Sequence, residues 1–336
     1  MHPKGYTAAE FGEVTVLVGG RQGAYPYGNS LLVRGTSASL LIDPSLSLVG
    51  DAPAVDAVLV SHAHEDHVVG LARYDVPVHA HVGDLDAVRS REVMVAGFGI
   101  PSDAVEAFDK RLRDEFHVEG RPDALGLEDG ATFDLGGRTV TAVHLPGHTM
   151  GHSGFLIEPD GFLFTADIDL TSFGPFYGDL GSDVEAFEAS IRRCREIDAR
   201  WYGTSHQKGV IEGAAEFRRR LDAFAGVVER REAVLLSFLG EPRTVDEIAE
   251  HRLVYRQHVE GPHVHPVERR TAVQHLDRLI GRGLVTTRHL PRHRRPPPDS
   301  PPCRHRSPPP DSPPSGCRRD AEPVDEFPAV TQREPT

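Results

Sequence analysis

Four strand-like segments of this chain end in histidine or aspartate, and this recurrence restricts its fold more than any other feature. The apolar run AVLV leads into SHAHEDH, residues 61–67, which carries three histidines and two acidic residues. Later apolar runs lead to His148, to Asp167 and to His206. Imidazoles are rarely crowded together for packing alone, so we expect these strand ends to converge on a metal site.

Residues 1–212 have the pattern of mixed strands and helices. VTVLVGG, NSLLVRG and ASLLIDP are short β-rich runs punctuated by glycine, asparagine and proline, as in a β-meander. Turns at residues 136–137 and 160–161 indicate two hairpins, and residues 84–118 have helical spacing. The expected fold class of this catalytic domain is α/β (α+β).

Two further regions follow, residues 213–290 and 291–336. The first has the order helix, helix, helix and short strand, which is winged-helix-like, and Thr244 and Glu247 have capping-box spacing. Its acidic residues nearly balance its arginines, so packing or homodimerisation is favoured over DNA binding. The second contains a near-repeat of PPPDSPP and almost nothing apolar, and it is expected to be disordered or polyproline-like.

The composition argues against several functional classes. The net charge of −13 disfavours a broad electrostatic contact with nucleic acid or an anionic membrane. Three scattered cysteines are too few for a disulfide framework or a thiolate zinc site. The N-terminal residues lack the pattern of a secretory signal, and no apolar run reaches the about 18 residues that span a bilayer. We therefore expect a cytoplasmic protein with a small-molecule substrate and no membrane or nucleic-acid partner.

The polar strand ends divide into two sets of ligands of the kind that zinc prefers, which are neutral imidazole nitrogens and carboxylate oxygens. The predicted ligands of the first ion are three histidines: His62, His64 and His148. The predicted ligands of the second ion are an aspartate and two histidines: Asp66, His67 and His206. Asp167 has two carboxylate oxygens and can bridge both ions. The alternative is that each histidine caps a strand or makes a hydrogen bond within a loop.

The segments SHAHEDH, PGHTMGHSGF, TADI and GTSHQ together resemble those of the metallo-β-lactamase fold superfamily, particularly its glyoxalase II-like hydrolases. The resemblance covers residues 12–212, and LLIDP is similar to an early strand of the fold. It implies an αββα sandwich with a dinuclear site at one edge of two sheets and the same seven ligands. It also places His152 where a residue orients a ligand or the substrate. The C-terminal helices are similar to a winged-helix-like extension of some members.

The predicted function is that of a metal-dependent hydrolase with two Zn²⁺ ions, iron and manganese being alternatives. A metal-activated hydroxide would attack an ester, thioester or lactone carbonyl. Asp66 would bind metal and also accept a proton or orient the nucleophile. Tyr177, in SFGPFYGD, either donates a hydrogen bond to the substrate or anchors its loop.

Departures from the family pattern bear on the substrate. The C-terminal region lacks an Arg/Lys cluster placed to hold glutathione, and the β-CASP segment of the nuclease branch is missing. Glutathione thioesters and nucleic acids are therefore not the expected substrates. Two other classes stay open: a mononuclear iron oxygenase of the persulfide dioxygenase type, which would use His62, His148 and Asp167, and a regulator whose helical domain binds DNA.

Overall fold

The computed structural model describes residues 5–288 and 329–332 of the protein. The larger sheet consists of β1 (Thr7–Phe11), β2 (Val14–Val18), β3 (Ser30–Arg34), β4 (Ser39–Ile42), β5 (Ala57–Val60), β6 (Val78–His81) and β7 (Leu125–Leu127). The second sheet consists of β8 (Thr132–Asp134), β9 (Thr139–His144), β10 (Ser153–Glu158), β11 (Phe162–Phe164), β12 (Trp201–Gly203) and β13 (Val210–Glu212). A two-stranded sheet contains β14 (Val285–Arg288) and β15 (Ala329–Gln332).

The helices flank these sheets. They are the single turn α1 (Gly20–Gly23) and the helices α2 (Leu85–Arg89), α3 (Arg91–Gly97), α4 (Val105–Phe116), α5 (Val184–Glu196), α6 (Ala214–Phe238), α7 (Val245–His251) and α8 (Val264–Gly281). None of the helices in the described ranges is both long enough and apolar enough to cross a lipid bilayer.

Strand direction brings several strand ends to one edge of the molecule. In the larger sheet β1 to β4 are antiparallel, whereas β4, β5, β6 and β7 pair in parallel. In the second sheet β11 pairs in parallel with β12, and its other pairings are antiparallel. Parallel strands need crossovers, and these carry helices to the outer faces. Loops that follow parallel strands therefore meet at a common edge.

The two sheets pack face to face, and every second residue of their strands points into the core between them. Leu31 and Val33 of β3 are buried between the sheets, while Leu32 between them is buried on the outer face. Phe155 and Ile157 of β10 meet this core from the second sheet. Side chains of a strand alternate with a period of two, so strands that are apolar on both faces must be covered on both sides.

Helices supply that outer cover and complete four layers. Leu112 and Phe116 of α4 pack on the outer face of the larger sheet. Phe187 of α5 and Phe217 of α6 pack on the outer face of the second sheet. The arrangement is an αββα sandwich, which confirms the predicted fold class. The predicted helical segment 84–118 forms α2, α3 and α4.

Helix α6 belongs to two cores. Its first half packs on the second sheet through Phe217, whereas Leu235 near its end packs with α7, α8 and β14. Thr244 and Glu247 form the predicted capping box of α7. The order helix, helix, helix, strand agrees with the sequence prediction for residues 213–290.

Part of the proline-rich tail is folded. We expected residues 291–336 to be disordered or polyproline-like, and this was wrong for Ala329–Gln332, which pairs with β14 in an antiparallel ladder. The reason is that Val330 is apolar and is buried against the C-terminal core. Thr331 also donates a hydrogen bond to the Leu239 carbonyl, 3.2 Å away. The other tail residues, 291–328 and 333–336, lie outside the described residues.

Candidate metal centre

The loop after β5 meets three other loops at the sheet edge, and together they form two adjacent groups of potential metal ligands. The first group is His62, His64, His148 and Asp167. The second group is Asp66, His67 and His206. Within each group the ligand atoms lie within 4.8 Å of one another. The structure therefore brings together all seven residues that the sequence assigned to metal.

Three imidazole nitrogens and a carboxylate oxygen converge in the first group. Nε2 of His62 lies 3.0 Å from Nδ1 of His64 and 3.2 Å from Nε2 of His148. Nε2 of His148 lies 3.4 Å from Oδ2 of Asp167. These distances leave the four atoms around one small volume, as a tetrahedral ligand set requires.

Asp167 is shared between the two groups. Its Oδ1 lies 3.2 Å from Nε2 of His67 and 3.5 Å from Nε2 of His206. Nε2 of His206 lies 3.4 Å from Oδ2 of Asp66. The two oxygens of Asp167 thus face different groups, which is the geometry of a bridging carboxylate.

Carboxylates outside the centre orient two of these histidines. The ring of His64 donates from Nε2 to Asp179, whose Oδ2 is 2.6 Å away. The ring of His67 donates from Nδ1 to Asp43, whose Oδ2 is 2.9 Å away. Burial lowers the pKa of His64, but the carboxylates of Asp179, Glu65 and Asp167 together outweigh burial and raise that pKa to about 9, with Asp179 contributing most. Asp179 therefore favours positive charge at this position, on the ring or on a bound cation.

The outer nitrogens of two further histidines donate to backbone carbonyls. Nδ1 of His148 lies 2.8 Å from the Phe176 oxygen, and Nδ1 of His206 lies 2.9 Å from the Gly23 oxygen. A histidine whose outer nitrogen carries the proton presents an unprotonated nitrogen to the centre, which is the state that binds metal.

Ser61 fixes the tautomer of His62. The Ser61 hydroxyl donates its proton to Asp43 Oδ2 at 2.6 Å. The Ser61 Oγ atom is then left to accept a hydrogen bond from Nδ1 of His62 at 2.9 Å. Nε2 of His62 is then unprotonated and faces Nδ1 of His64. If the His64 ring is neutral, two lone pairs face each other 3.0 Å apart and repel unless a metal cation lies between them; without one, the raised pKa of His64 lets its ring carry a second proton there.

Buried atoms without a hydrogen bond support the same conclusion. Within the described part of the chain, Oδ2 of Asp66, Nε2 of His67 and Oδ1 of Asp167 are buried and make no hydrogen bond. An unsatisfied buried polar atom costs about 1–3 kcal/mol, and several at one point are rarely tolerated. The donor set and its unsatisfied atoms therefore fit a pair of divalent cations.

His152 lies beside the centre. Its Nε2 accepts a hydrogen bond from the backbone N–H of Asp167 at 3.1 Å, and its Nδ1 donates to the Leu145 carbonyl at 2.9 Å. Burial lowers the pKa of His152 to about 3, so the ring is neutral. This arrangement holds the loop that carries Asp167, in agreement with an orienting role.

Asp84 connects the two loops that supply the first group. Its Oδ2 accepts from the backbone N–H of Ala63 at 3.0 Å and from the Thr149 hydroxyl at 2.6 Å. Its Oδ1 accepts from the backbone N–H of Gly151 at 2.7 Å. One buried carboxylate thereby fixes the loop of His64 against the loop of His148.

Three carboxylates at this site were not predicted from the sequence. Asp43 was noticed only as part of LLIDP, and its position after a buried strand was the available signal. Asp84 and Asp179 lie in segments with no spacing pattern that indicates a metal site. Their roles depend on contacts with residues that are 65 and 115 positions away in the chain.

Tyr177 does not contact the cavity. Its side chain is 1% exposed, and its hydroxyl lies 2.9 Å from Nε2 of His275 on α8. The prediction that Tyr177 donates a hydrogen bond to the substrate is therefore wrong, because this hydroxyl is buried between the loop and the helix. The alternative, a loop anchor, agrees with the structure.

A cavity of about 560 Å³ opens onto the metal centre. It is lined by ligands of both groups, by aromatic residues of α4 and of the loop around residues 173–176, and by residues of the C-terminal helical region. Such a cavity is within the range that holds a small molecule.

Comparisons with known proteins agree with this geometry. The sequence profile of the Metallo-beta-lactamase superfamily matches residues 25–206. Acyl-coenzyme A thioesterase MBLAC2 of Bos taurus is 28% identical over 161 residues, which are 42% of this chain and 57% of that protein. The probable polyketide biosynthesis zinc-dependent hydrolase BaeB of Bacillus velezensis is 28% identical over 141 residues, which are 42% of this chain and 51% of that protein. The chain thus spans little more than half the length of these curated relatives.

A solved structure shares the fold over most of the chain. The metallo-beta-lactamase family protein TTHA1429 from Thermus thermophilus superposes with a TM-score of 0.62 at 22% sequence identity. The match covers 82% of this chain and 95% of that protein. This likeness supports the architecture alone.

Proposed function

The chain belongs to the metallo-beta-lactamase superfamily, and from that premise we propose that it is a hydrolase that uses two Zn²⁺ ions to cleave a thioester. The observation that carries the proposal is the position of Asp167, whose two oxygens face two separate groups of ligands. A site for one ion needs no shared carboxylate of this kind. The shared carboxylate therefore supports a dinuclear hydrolase rather than a mononuclear iron oxygenase.

The first ion would be held by His62, His64 and His148, the second by Asp66, His67 and His206, and Asp167 would be common to both. When bound, the ions supply a water of lowered pKa as nucleophile at neutral pH and polarise the carbonyl that it attacks.

The residues of the chain have separate tasks in this mechanism. The outer partners Asp43 and Asp179 hold His67 and His64 in the tautomers that leave their inner nitrogens free. Oδ2 of Asp66 makes no hydrogen bond within the described residues, and in this proposal it would orient the attacking water or accept its proton. His152 keeps Asp167 in place through its backbone N–H.

The choice of a thioester rests on the relatives and on the cavity. The bovine relative is named as an acyl-coenzyme A thioesterase. The cavity beside the metal centre has acidic residues and histidines at the ligands, but most of its exposed surface is apolar and several of its lining side chains are aromatic, which suits the hydrocarbon part of an acyl group. Esters and lactones have the same carbonyl chemistry and belong in the same test.

The test is a hydrolysis assay on purified protein with thioesters, esters, lactones and phosphoesters. We expect zinc-dependent thioester cleavage that a chelator abolishes and zinc restores. His64→Ala should lose at least about 100-fold in turnover, because a lost ligand disrupts the nucleophile. The matched control is Asp103→Asn, at an exposed position, which should keep wild-type activity. One iron per chain with oxygen uptake, or thioester cleavage by metal-stripped protein, would overturn the proposal.

A further inference from the structure

We propose that Tyr255, which Glu268 holds in position, makes the cavity selective for substrates with an aromatic acyl group. This inference rests on the proposed hydrolase function and adds a substrate class to it. It also gives the C-terminal helical region a task within the active site.

The C-terminal region forms one wall of the cavity. Tyr255, in the segment between α7 and α8, lines the cavity together with His263 and Val267. The ring of Tyr255 lies 5.5 Å from the ring of His263. These residues lie outside the sandwich that carries the metal ligands. Substitutions in this wall can therefore change the shape of the cavity and leave the metal centre intact.

A continuous row of aromatic rings connects Tyr255 with the metal ligands. The centroid of Tyr255 lies 5.9 Å from that of Phe173, and Phe173 lies 6.4 Å from Phe176. The Phe176 ring lies 5.8 Å from the His148 ring. These separations are in the range of favourable contacts between aromatic rings.

A second row of rings ends at the same group of ligands. Phe108 of α4 lies 5.0 Å from Phe98 in an edge-to-face arrangement. The Phe98 ring stacks on the His64 ring at 5.5 Å and an interplanar angle of 21°. Both rows line the same cavity. A flat acyl group whose carbonyl is at the metal centre would therefore contact rings along its length, which favours aromatic over short aliphatic acyl groups.

Glu268 fixes the backbone that presents Tyr255. This carboxylate is fully buried and accepts from the backbone N–H groups of Leu253 at 2.7 Å, Val254 at 3.1 Å and Tyr255 at 2.6 Å. Three consecutive N–H groups of a loop would otherwise lack partners. Charge-assisted bonds of this kind are stronger than neutral ones, so the carboxylate sets the path of the loop.

Arg252 holds the same segment from the carbonyl side. Its guanidinium donates to the carbonyl oxygens of Arg256 at 2.9 Å, Gln257 at 3.1 Å and Val259 at 2.8 Å. The segment is therefore fixed through its N–H groups by Glu268 and through its carbonyl groups by Arg252. A loop that is held at both ends keeps Tyr255 in one position before the substrate binds.

The experiment compares two thioesters of the same thiol, one with a 2-naphthoyl group and one with an acetyl group. Tyr255→Ala should reduce kcat/KM for the naphthoyl thioester about tenfold, mainly through KM, and should reduce kcat/KM for the acetyl thioester much less, so that the preference for the aromatic group falls. Tyr255→Phe should keep the wild-type preference because it keeps the ring. Glu268→Gln should lower the same preference, because an amide nitrogen cannot accept from the loop N–H groups. Glu260→Gln, at an exposed position of the same segment, is the control.

Calorimetric binding of 2-naphthamide and acetamide to the metal-loaded protein tests the cavity independently of turnover. We expect the wild type to bind 2-naphthamide more tightly than acetamide, and Tyr255→Ala to weaken 2-naphthamide binding about tenfold. Equal binding of both amides, or 2-naphthamide binding that Tyr255→Ala leaves unchanged, would overturn the inference.

The failure of the proposed function has a different signature. If the protein binds no metal and hydrolyses no thioester, but 2-naphthamide still binds to metal-free protein in a Tyr255-dependent manner, the hydrolase proposal is wrong and the aromatic cavity stands. If thioesters are hydrolysed and Tyr255→Ala leaves the preference unchanged, the function stands and the role of Tyr255 is wrong.

Discussion

Oδ2 of Asp179 lies 2.6 Å from Nε2 of His64, and this contact turns Nδ1 of His64 towards Nε2 of His62. Asp179 follows the loop whose Phe176 carbonyl accepts from His148. One loop therefore orients two ligands of the first group. The metal centre depends on this loop as well as on the ligands themselves.

Asp179→Asn should weaken metal binding about tenfold, because it removes the charge that favours a cation at His64. Competition with a chromophoric chelator measures the affinity, and Asp103→Asn is the matched control. Unchanged affinity would show that Asp179 does not act on the centre.

Asp84→Ala should lower the free energy of unfolding by about 3 kcal/mol, because it leaves the N–H groups of Ala63 and Gly151 buried without an acceptor. Urea denaturation of the metal-free proteins measures the difference. Asp86→Ala, at an exposed position of α2, two residues after Asp84, should change the stability little. Equal stability of the two variants would contradict the role assigned to Asp84.

Gly147→Ala should destabilise the fold and displace His148. Gly147 has a φ of +123°, and a Cβ atom there would lie 2.2 Å from the backbone nitrogen of Phe187. The expected loss is about 3 kcal/mol, with reduced metal content by elemental analysis. Gly50→Ala is the control, since a Cβ atom at Gly50 meets nothing within 4 Å. A Gly147 variant with wild-type stability and metal content would contradict the packing described here.

Cys194 should resist alkylation in the folded protein. The thiol is fully buried in the core between α5 and the second sheet, and burial raises its pKa to about 12. The neutral thiol is then favoured at pH 8, and the thiolate that reacts is scarce. With Cys303 and Cys317 replaced by serine, iodoacetamide should label the protein only after denaturation. Rapid labelling of the native protein at pH 8 would show that the thiol is accessible.

The sequence predicts the ligands well because each one lies in the loop that follows a strand. The apolar run that ends at Val60 predicts both the strand and the position of the loop that carries His62. Asp167 lies in the loop after β11, and His206 lies in the loop after β12. A strand with a polar end is a local pattern, so neighbouring residues suffice to recognise it.

Other features depend on contacts that local patterns do not contain. The pairing of Ala329–Gln332 with β14 joins segments that are separated by 40 residues outside the described ranges. Tyr177 resembles a substrate contact in the sequence, but its orientation is decided by His275 on a helix 98 positions later. The buried acceptor role of Glu268 likewise depends on a loop 13 to 15 residues before it.

The metal content of the purified protein tests the central claim most directly. Elemental analysis should find about two zinc ions per chain in the wild type and fewer in Asp167→Ala, because Asp167 is shared by both groups. The wild type dialysed against a chelator and then against zinc should recover both ions. A protein that takes up no more than one ion under these conditions, or an Asp167→Ala variant that retains both, would contradict the account.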